Sequence, residues 1–516
     1  MKVNWPVDDE GRGELWRQDG GGRDCPPADR CDVLVVGSGL AGLSAAIRAA
    51  EAGAKVLVLE KYESLERLTR GMRPIMRGAN WDPRPSGCNT ELSQRGVSTL
   101  EILGGRLNPK LTVDEVVRRS EESGSGAINV DVVRAWAQRL NRDIEWLTNK
   151  VGLRRKERRP GVPDYRFGQI VAPMTEYLQN LGGCVAYGLA ATDLLVSRQR
   201  CVVGVRALSE DGYADYLAAA TVLAPGGFEG NAELCGQYVS HLVGNEVLLT
   251  GSPYNTGEWV RMAHQVGAKL INMNQIHVRT PDRRGGLGIK RLDNLAKFGI
   301  VVDGQGRRLF DESRLPEQTD LLAHAMMERH GSAFLVFDEP LRQRFMGEYL
   351  GYRSTPGDFF FVADSLEGLA ELEGMDGPGL VSNVAAFNAA VQANGTAPEA
   401  RPPKSISEDF PRTAVRIETG PFYSFKLLVG LNQTLGGFKV NTHMQVVDLL
   451  ERPIGGLFSA GEPVMGNIIY ENYKVASDAA TGLEMALSTG CIAGESAAAA
   501  AGQRQPEADL PCNSLT

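Results

Sequence analysis

The chain has 516 residues, 43% of them hydrophobic and 23% charged, with a formal net charge of −8. These values describe an ordinary globular chain long enough for two or three domains. The acidic balance excludes a general nucleic-acid binder, which needs a broad basic face. No apolar run approaches the ~20 residues of a membrane-spanning helix.

Residues 1–29 are polar and Gly-rich and lack an apolar stretch. They read as a flexible N-terminal arm rather than a secretory signal. The eight cysteines form no CxxC or CxxC-with-His pattern, and no HExxH is present. Zinc, an iron–sulfur cluster and a redox dithiol are therefore unsupported, and no metal is expected. Scattered thiols read as free side chains in a reducing compartment, which points to a cytoplasmic location.

The segment Cys31 to Lys61, CDVLVVGSGLAGLSAAIRAAEAGAKVLVLEK, is the most informative in the chain. It reads as a buried strand, a glycine turn, an Ala-rich helix, a second strand and an acid. Gly37 permits the tight turn, Gly39 lets the backbone approach a pyrophosphate, and Gly42 lets the helix pack closely on the strand. Leu40 and Ala41 open the helix, whose unpaired N–H groups and positive dipole end favour phosphates. Glu60 stands where an acid holds ribose hydroxyls, and Lys61 follows it. A carboxylate there suits a free 2′-OH and repels a 2′-phosphate. The motif alone admits FAD or NAD.

Residues 62–110 are rich in Arg, Gly and Pro and read as loops, and residues 112–147 have a helical period. The basic run at 154–159 reads as a solvated loop. Residues 184–223 alternate and turn repeatedly, as an antiparallel meander returning to a buried strand does. A helix is expected between Gly257 and Gly267. Between Arg279 and Arg314 nine Arg or Lys residues face five Asp or Glu, a positive surplus in an acidic chain. Nucleotide-fold character returns at Gly455 to Glu462, and a long Ala-rich helix is expected over 479–499. The organisation that follows is an arm (1–29), a first fold part (30–275), an inserted cap or substrate domain (276–415), a second fold part (416–502) and a polar tail (503–516).

Four segments, GSGLAG at 37–42, LAPGGFEGN at 223–231, QTLGGFKV at 433–440 and GLFSAGEP at 456–463, occur in one order. In that order and spacing the chain resembles the flavoprotein family of fumarate reductase and succinate dehydrogenase. Its soluble relatives, 3-ketosteroid dehydrogenase and tricarballylate dehydrogenase, are the nearer branch. TGEWVRMAHQVGA at 256–268, GIVVDGQGRRLFDE at 299–312 and AFLVFDE at 333–339 support the resemblance. It implies an α/β fold with an α+β cap, in which a Rossmann-like FAD-binding domain is split by an inserted mobile cap. It implies FAD rather than NAD, with Gly226, Gly227, Gly461 and Glu462 as further cofactor contacts. It also implies that the C-terminal helix points its N-terminus at the flavin N1/C2=O edge, where reduced flavin is negative.

The chain departs from fumarate reductases where they bind substrate. Their histidine before Thr-x-Gly-Gly is replaced by Asn432-Gln433. Their arginine after Ala-Gly-Glu is missing from Met465-Gly-Asn-Ile-Ile. The position of their catalytic arginine is Pro316, with Arg314 nearby. Pro225 replaces a threonine, and a Gly-Gly-Asn-Ser turn is missing after Glu60. No His-Thr pair lies in 62–110, so the FAD is expected to be non-covalent.

The resemblance implies an FAD-dependent oxidoreductase acting on CH–CH groups. It would make or reduce a C=C bond beside a carboxylate or carbonyl of a small substrate, by hydride transfer at flavin N5. Tyr473 and Arg314 are candidate proton-transfer groups, with His277 as a third catalytic candidate. Arg308, Asn432, Gln433, Thr434 and Tyr470 are candidate substrate contacts. A basic cap favours a carboxylated substrate; Phe359-Phe-Phe361 offers an apolar cleft or a piece of core. An electron acceptor or donor must exist outside the chain. The alternative is a flavoprotein of specialised metabolism with no net redox, an isomerase or lyase, suggested by the missing Arg and His.

Overall fold

The structure, a computed structural model, describes residues 30–63, 112–279 (apart from 125, 153–155, 160–161, 165–166, 243–246 and 250), 299–309, 312, 319–328, 333–343, 360–394, 415–470 and 482–503. The expectations for the arm, the segment after residue 63, Arg314, Phe359, Tyr473 and the tail lie outside these residues.

The central sheet runs in the order Gln445–Val447, Pro453–Ser459, Gly212–Leu223, Arg30–Val36, Val56–Glu60, Cys184–Tyr187. All neighbours are parallel except the first pair. Val33–Val36 and Val56–Leu59 are fully or nearly buried, as expected of strands covered on both faces. The register pairs Val36 with Leu59 and Leu223, and Leu223 with Ser459. Four strands therefore end level, and Gly37, Glu60, Ala224 and Ala460 step off one edge together. Order reverses around Arg30–Val36, which makes that edge the switch point where open α/β sheets bind ligands.

The meander of Ala190–Val196, Val202–Ser209 and Gly212–Leu223 is present. Cys184–Tyr187, however, is not its first strand. It is a parallel edge strand on Val56–Glu60, and the helix Phe167–Asn180 precedes it in the chain. The basic run at 154–159 is not a simple loop either, since Lys156–Arg159 pairs with Val162–Asp164. The helical stretch 112–147 is two helices, Val113–Gly124 and Val130–Asn149. Asn129 divides them because its side chain accepts from the Val132 N–H and caps the second.

The inserted segment builds its own sheet, Ile300–Val302, Ala333–Asp338, Phe422–Leu427 and Phe361–Ala363, with the helices Leu366–Glu373 and Gly377–Asn394. Phe422–Leu427 lies past residue 415, so the inserted sheet draws a strand from beyond the expected boundary. Phe337 stacks on Tyr423 and Phe425, and Phe360 packs against the same pair. Phe360 is thus core and not cleft.

Cys31, Cys235 and Cys491 are buried free thiols. Cys184 is disulfide-bonded, which the scattered spacing did not reveal.

The helix Leu40–Glu51 packs between the C-terminal helix Gly482–Gln503 and Phe167–Asn180, and Val130–Asn149 packs on the C-terminal helix. Arg139 forks onto Asp143 (3.0 and 3.1 Å) and reaches Glu495 (2.5 Å). Arg48 joins the same Glu495 and also Glu51 (2.8 Å). Burial works against the Glu495 charge, but the two guanidiniums outweigh it and hold its carboxyl below the ordinary range. Asp143 is 1% exposed, so deleting Arg139 strands a buried carboxylate. Arg139→Ala is expected to cost about 3 kcal/mol, measured by urea unfolding at neutral pH. A cost under about 0.5 kcal/mol, typical of a surface pair, would contradict this account.

Candidate active site

At the level edge, Gly37 has φ +95° and its amide donates to the Leu59 carbonyl at 2.8 Å. A Cβ there would stand 2.4 Å from the Ala224 carbonyl oxygen. Gly42 is closer still to its neighbours, with a Cβ falling 1.9 Å from the Gly37 oxygen. Gly39 differs: a Cβ on it would meet nothing within 4 Å. The missing side chain at Gly37 and Gly42 serves packing, and at Gly39 it leaves open space before a helix N-terminus. That helix has no side-chain cap, so its first amides face this space. Leu40 and Ala41 sit buried in its first turn.

Glu60 is buried, and one of its oxygens accepts from both the amide and the hydroxyl of Ser38 (2.8 Å each). The other accepts from the Tyr62 amide at 3.0 Å. The acid is therefore fixed against the glycine turn. Lys61 is held by Thr256 (2.9 Å) and Glu258 (3.1 Å). Although burial opposes it, the Lys61 charge lowers the Glu258 carboxyl.

The second and fourth segments converge on this edge. Gly226 has φ +87° and accepts from Trp259 Nε1 at 3.0 Å. Gly461 has φ +77° and packs against Ala41, where a Cβ would fall 2.8 Å from the alanine methyl. Its amide donates to Thr489 Oγ1 on the C-terminal helix at 3.0 Å. Glu462 begins the 3-10 helix Glu462–Asn467 and accepts from the Thr434 amide at 3.2 Å.

The third segment supplies a strand pair. Ile276–Arg279 runs antiparallel to Val429–Thr434, and His277 lies opposite Gln433. Asn432 Nδ2 and His277 Nδ1 meet at 3.4 Å. His277 is buried, and a Cβ on Gly251 would stand 2.2 Å from the Asn432 carbonyl oxygen. Thr434 is buried and its hydroxyl accepts from the Phe228 amide at 2.9 Å. His277, Asn432, Gln433 and Thr434 are thus one constellation, tied through Thr434 to Glu462 and the Gly226-Gly227 turn.

The structure commits Arg308 differently. Its guanidinium pairs with Glu312 and lies over the Phe387 ring, 5.5 Å from its centroid, within the inserted segment. Glu312 also accepts from the Val301 amide at 2.8 Å, and burial lifts its carboxyl despite Arg308. Tyr470, half-buried, lies eight residues after Glu462.

Two residues of the site were not singled out from sequence. Glu229 is buried and burial pushes its carboxyl up to about 7. Asn255 donates to Glu229 at 2.7 Å and to Glu462 at 3.2 Å. Burial and the Glu229 charge together push Glu462 well above the usual carboxylate range. The acid inside PGGFEGN was the available signal for Glu229. Asn255 left none beyond its place ahead of the helix Glu258–Val266.

The sequence matches the family described as FAD binding domain over residues 32–69 and 113–473. The chain belongs to the FAD-binding domain family. FAD is its cofactor, and the fold is the α/β Rossmann-like one of flavoenzymes. The chain is 26% identical to an NADH:fumarate oxidoreductase of Klebsiella pneumoniae (strain 342), over 93% of this chain and 48% of that protein. It is 26% identical to an NADH:acrylate oxidoreductase of Vibrio harveyi, over 90% of this chain and 50% of that protein. The chain therefore spans about half the length of these curated relatives. In fold it is similar to 3-ketosteroid-delta4-(5alpha)-dehydrogenase from Rhodococcus jostii RHA1, with a TM-score of 0.64 and 21% identity, over 91% of this chain and 97% of that one.

The residues present fit FAD. The open space at Gly39, the uncapped helix start beside it and the buried acid at Glu60 suit a pyrophosphate and a ribose. Among the described residues no group of His, Cys, Asp and Glu suits a metal ion, and no helix is long and apolar enough to cross a membrane.

Proposed function

We propose that this member of the FAD-binding domain family is an oxidoreductase that makes or reduces a C=C bond beside a carboxylate or carbonyl of a small molecule. The observation that carries the reading is the His277–Asn432 contact at 3.4 Å, on strands whose continuation, Thr434, holds Glu462. It puts a titratable ring and an amide side chain next to the segment expected to touch the flavin. The curated relatives are named for fumarate and acrylate, each an alkene conjugated to a carboxylate. Asn432-Gln433 and Met465-Gly-Asn-Ile-Ile, where fumarate reductases carry their His and Arg, direct this chain to a substrate other than fumarate.

Bound non-covalently, FAD supplies the hydride acceptor or donor at N5. The chain's residues do the rest. The Gly37–Gly42 turn and helix start cradle phosphate, Glu60 orients ribose, and Gly226, Gly227, Gly461 and Glu462 position the remainder. His277 and Asn432, with Gln433, orient the substrate's electron-withdrawing group. Tyr473 or Arg314 moves the proton at the neighbouring carbon. The segment 276–415, joined by the strand Phe422–Leu427, serves as a cap carrying Arg308, between FAD-binding parts at 30–275 and in the rest of 416–502.

Anaerobic mixing of the reduced yellow protein with conjugated acids and enones tests the reading. A matching substrate reoxidises the flavin stoichiometrically. His277→Ala and Asn432→Ala are each expected to lower kcat/KM by about 10–100-fold with FAD content unchanged, the loss of one strong hydrogen bond in the transition state. Product formed with no change in flavin absorbance would instead establish the non-redox alternative.

A further inference from the structure

Glu229 and Glu462 reach one point in the fold from the second and fourth sequence segments. Asn255 bridges them, donating to Glu229 Oε1 at 2.7 Å and to Glu462 Oε2 at 3.2 Å. Thr434 bridges them on the other side. Its amide donates to Glu462 Oε1 at 3.2 Å and its hydroxyl to Glu229 Oε2 at 3.4 Å. Glu462 Oε1, Glu229 Oε2 and Thr434 Oγ1 all lie within 2.5 Å of the point where a Cβ on Gly227 would stand. Gly227 has no side chain because these three oxygens fill its place.

The groups facing Glu229 come from each surrounding element. The helix Ala232–Tyr238 presents Cys235, whose Sγ approaches the Glu229 carbonyl and whose thiol burial, helped by the nearby acid, pushes up to about 11. The loop before Glu258–Val266 presents Ser252 and Asn255. Val429–Thr434 presents Thr434, and the 3-10 helix presents Glu462. None of these is a cation. Two carboxylates held together away from water, with only neutral donors between them, do not both ionise at neutral pH.

We propose that Glu229 and Glu462 share one proton, and that Glu229 is a positioning residue which keeps the pair at a single negative charge beside the cofactor. This rests on Glu462 lying against the flavin, as the family membership and the level sheet edge support. Glu229 ionises as pH rises through about 7, which leaves one proton shared by the pair, and burial with the Glu229 charge keeps that proton on Glu462 well above the usual carboxylate range. The single negative charge of the pair then stands next to a cofactor that itself becomes more negative on reduction. Reduction therefore favours keeping Glu229 protonated, and the flavin midpoint potential falls more steeply with pH in this range than the flavin's own protons require.

The test uses the holoprotein and its Glu229→Gln variant, a neutral isostere. Infrared spectra and midpoint potentials are recorded between about pH 5.5 and 8.5, a range that brackets the carboxyl titration. Wild type is expected to show a protonated-carboxyl C=O band that weakens through about 7 and persists above it, and an excess potential slope over the same interval. Glu229→Gln is expected to stay yellow and to lose both the weakening and the excess slope. A merely structural Glu229 would alter stability and leave the slope in place, so an unchanged slope and band in the variant overturn the proposal. If the variant does not fold, wild type alone decides: a protein with no titrating carboxyl band overturns it. A wild type that shows the band but turns over no conjugated acid or enone keeps the proton pair and refutes the proposed activity.

Discussion

Gly39→Val is expected to give a folded, colourless protein, whereas Gly37→Val is expected not to fold. The two glycines are two residues apart in the same turn, and the structure gives them opposite surroundings. Gly37 sits at φ +95°, and its Cβ would lie 2.4 Å from a backbone oxygen of Ala224. No rotamer relieves a contact with backbone, and the left-handed conformation adds its own cost of about 1–2 kcal/mol. Gly39 has an ordinary extended backbone, φ −69° and ψ −177°, which valine adopts without strain. Its Cβ enters space that meets nothing within 4 Å. The isolated fold therefore tolerates the side chain, and only a ligand lying against the helix start collides with it. Loss of two amide contacts to phosphate, each worth about 1.5–3 kcal/mol, weakens FAD binding by about 10²–10⁴-fold. Absorbance per polypeptide and a thermal melt read the outcome. A Gly39→Val protein that purifies with full FAD would show that the pyrophosphate lies elsewhere.

That contrast also shows what the sequence could and could not convey. The strand, turn, helix and acid around Gly37 to Glu60 were legible because each residue type there answers to a local backbone demand. The same holds for Gly257 and Gly267, which flank their helix with φ +72° and +67°. Long-range pairing was not legible. Nothing in CVAYG distinguishes the first strand of a meander from a parallel edge strand, since both bury alternate residues. Nothing near residue 415 signals that Phe422–Leu427 pairs back with Ala333–Asp338. The site divides in the same way. His277 and Asn432 were named separately, and the antiparallel register of their strands makes them a pair. Arg308 is a candidate substrate contact by sequence, yet Glu312 four residues on takes its guanidinium. Glu229 went unremarked because an acid is informative only through its neighbours, and these are Asn255, Thr434 and Glu462, all far along the chain.

The second large effect is expected in the C-terminal helix, where Gly494→Ala should destabilise the protein. Helix propensity alone predicts the reverse, because alanine is favoured over glycine by about 1 kcal/mol inside a helix. At Gly494, however, an added Cβ would stand 2.1 Å from the Ala45 oxygen and 2.7 Å from the Ala45 Cα. At Gly490 it would stand 2.3 Å from the Ala41 oxygen. Both neighbours are backbone of the helix Leu40–Glu51, so relief requires the two helices to separate. Overpacking of this kind costs about 1–3 kcal/mol, enough to invert the sign set by propensity. Separation also moves the first turn of Leu40–Glu51, which presents amides to the phosphates, and breaks the Gly461–Ala41 contact that brings Glu462 to the site. FAD retention is therefore expected to fall together with stability. Gly502 supplies the control within the same helix, since a Cβ there meets nothing within 4 Å. Gly502→Ala should leave stability unchanged or raise it by up to about 1 kcal/mol, with FAD content intact. Urea unfolding of the three alanine variants separates the effects. If Gly490→Ala and Gly494→Ala stabilise as Gly502→Ala does, the close crossing of these helices is not what holds the cofactor edge together.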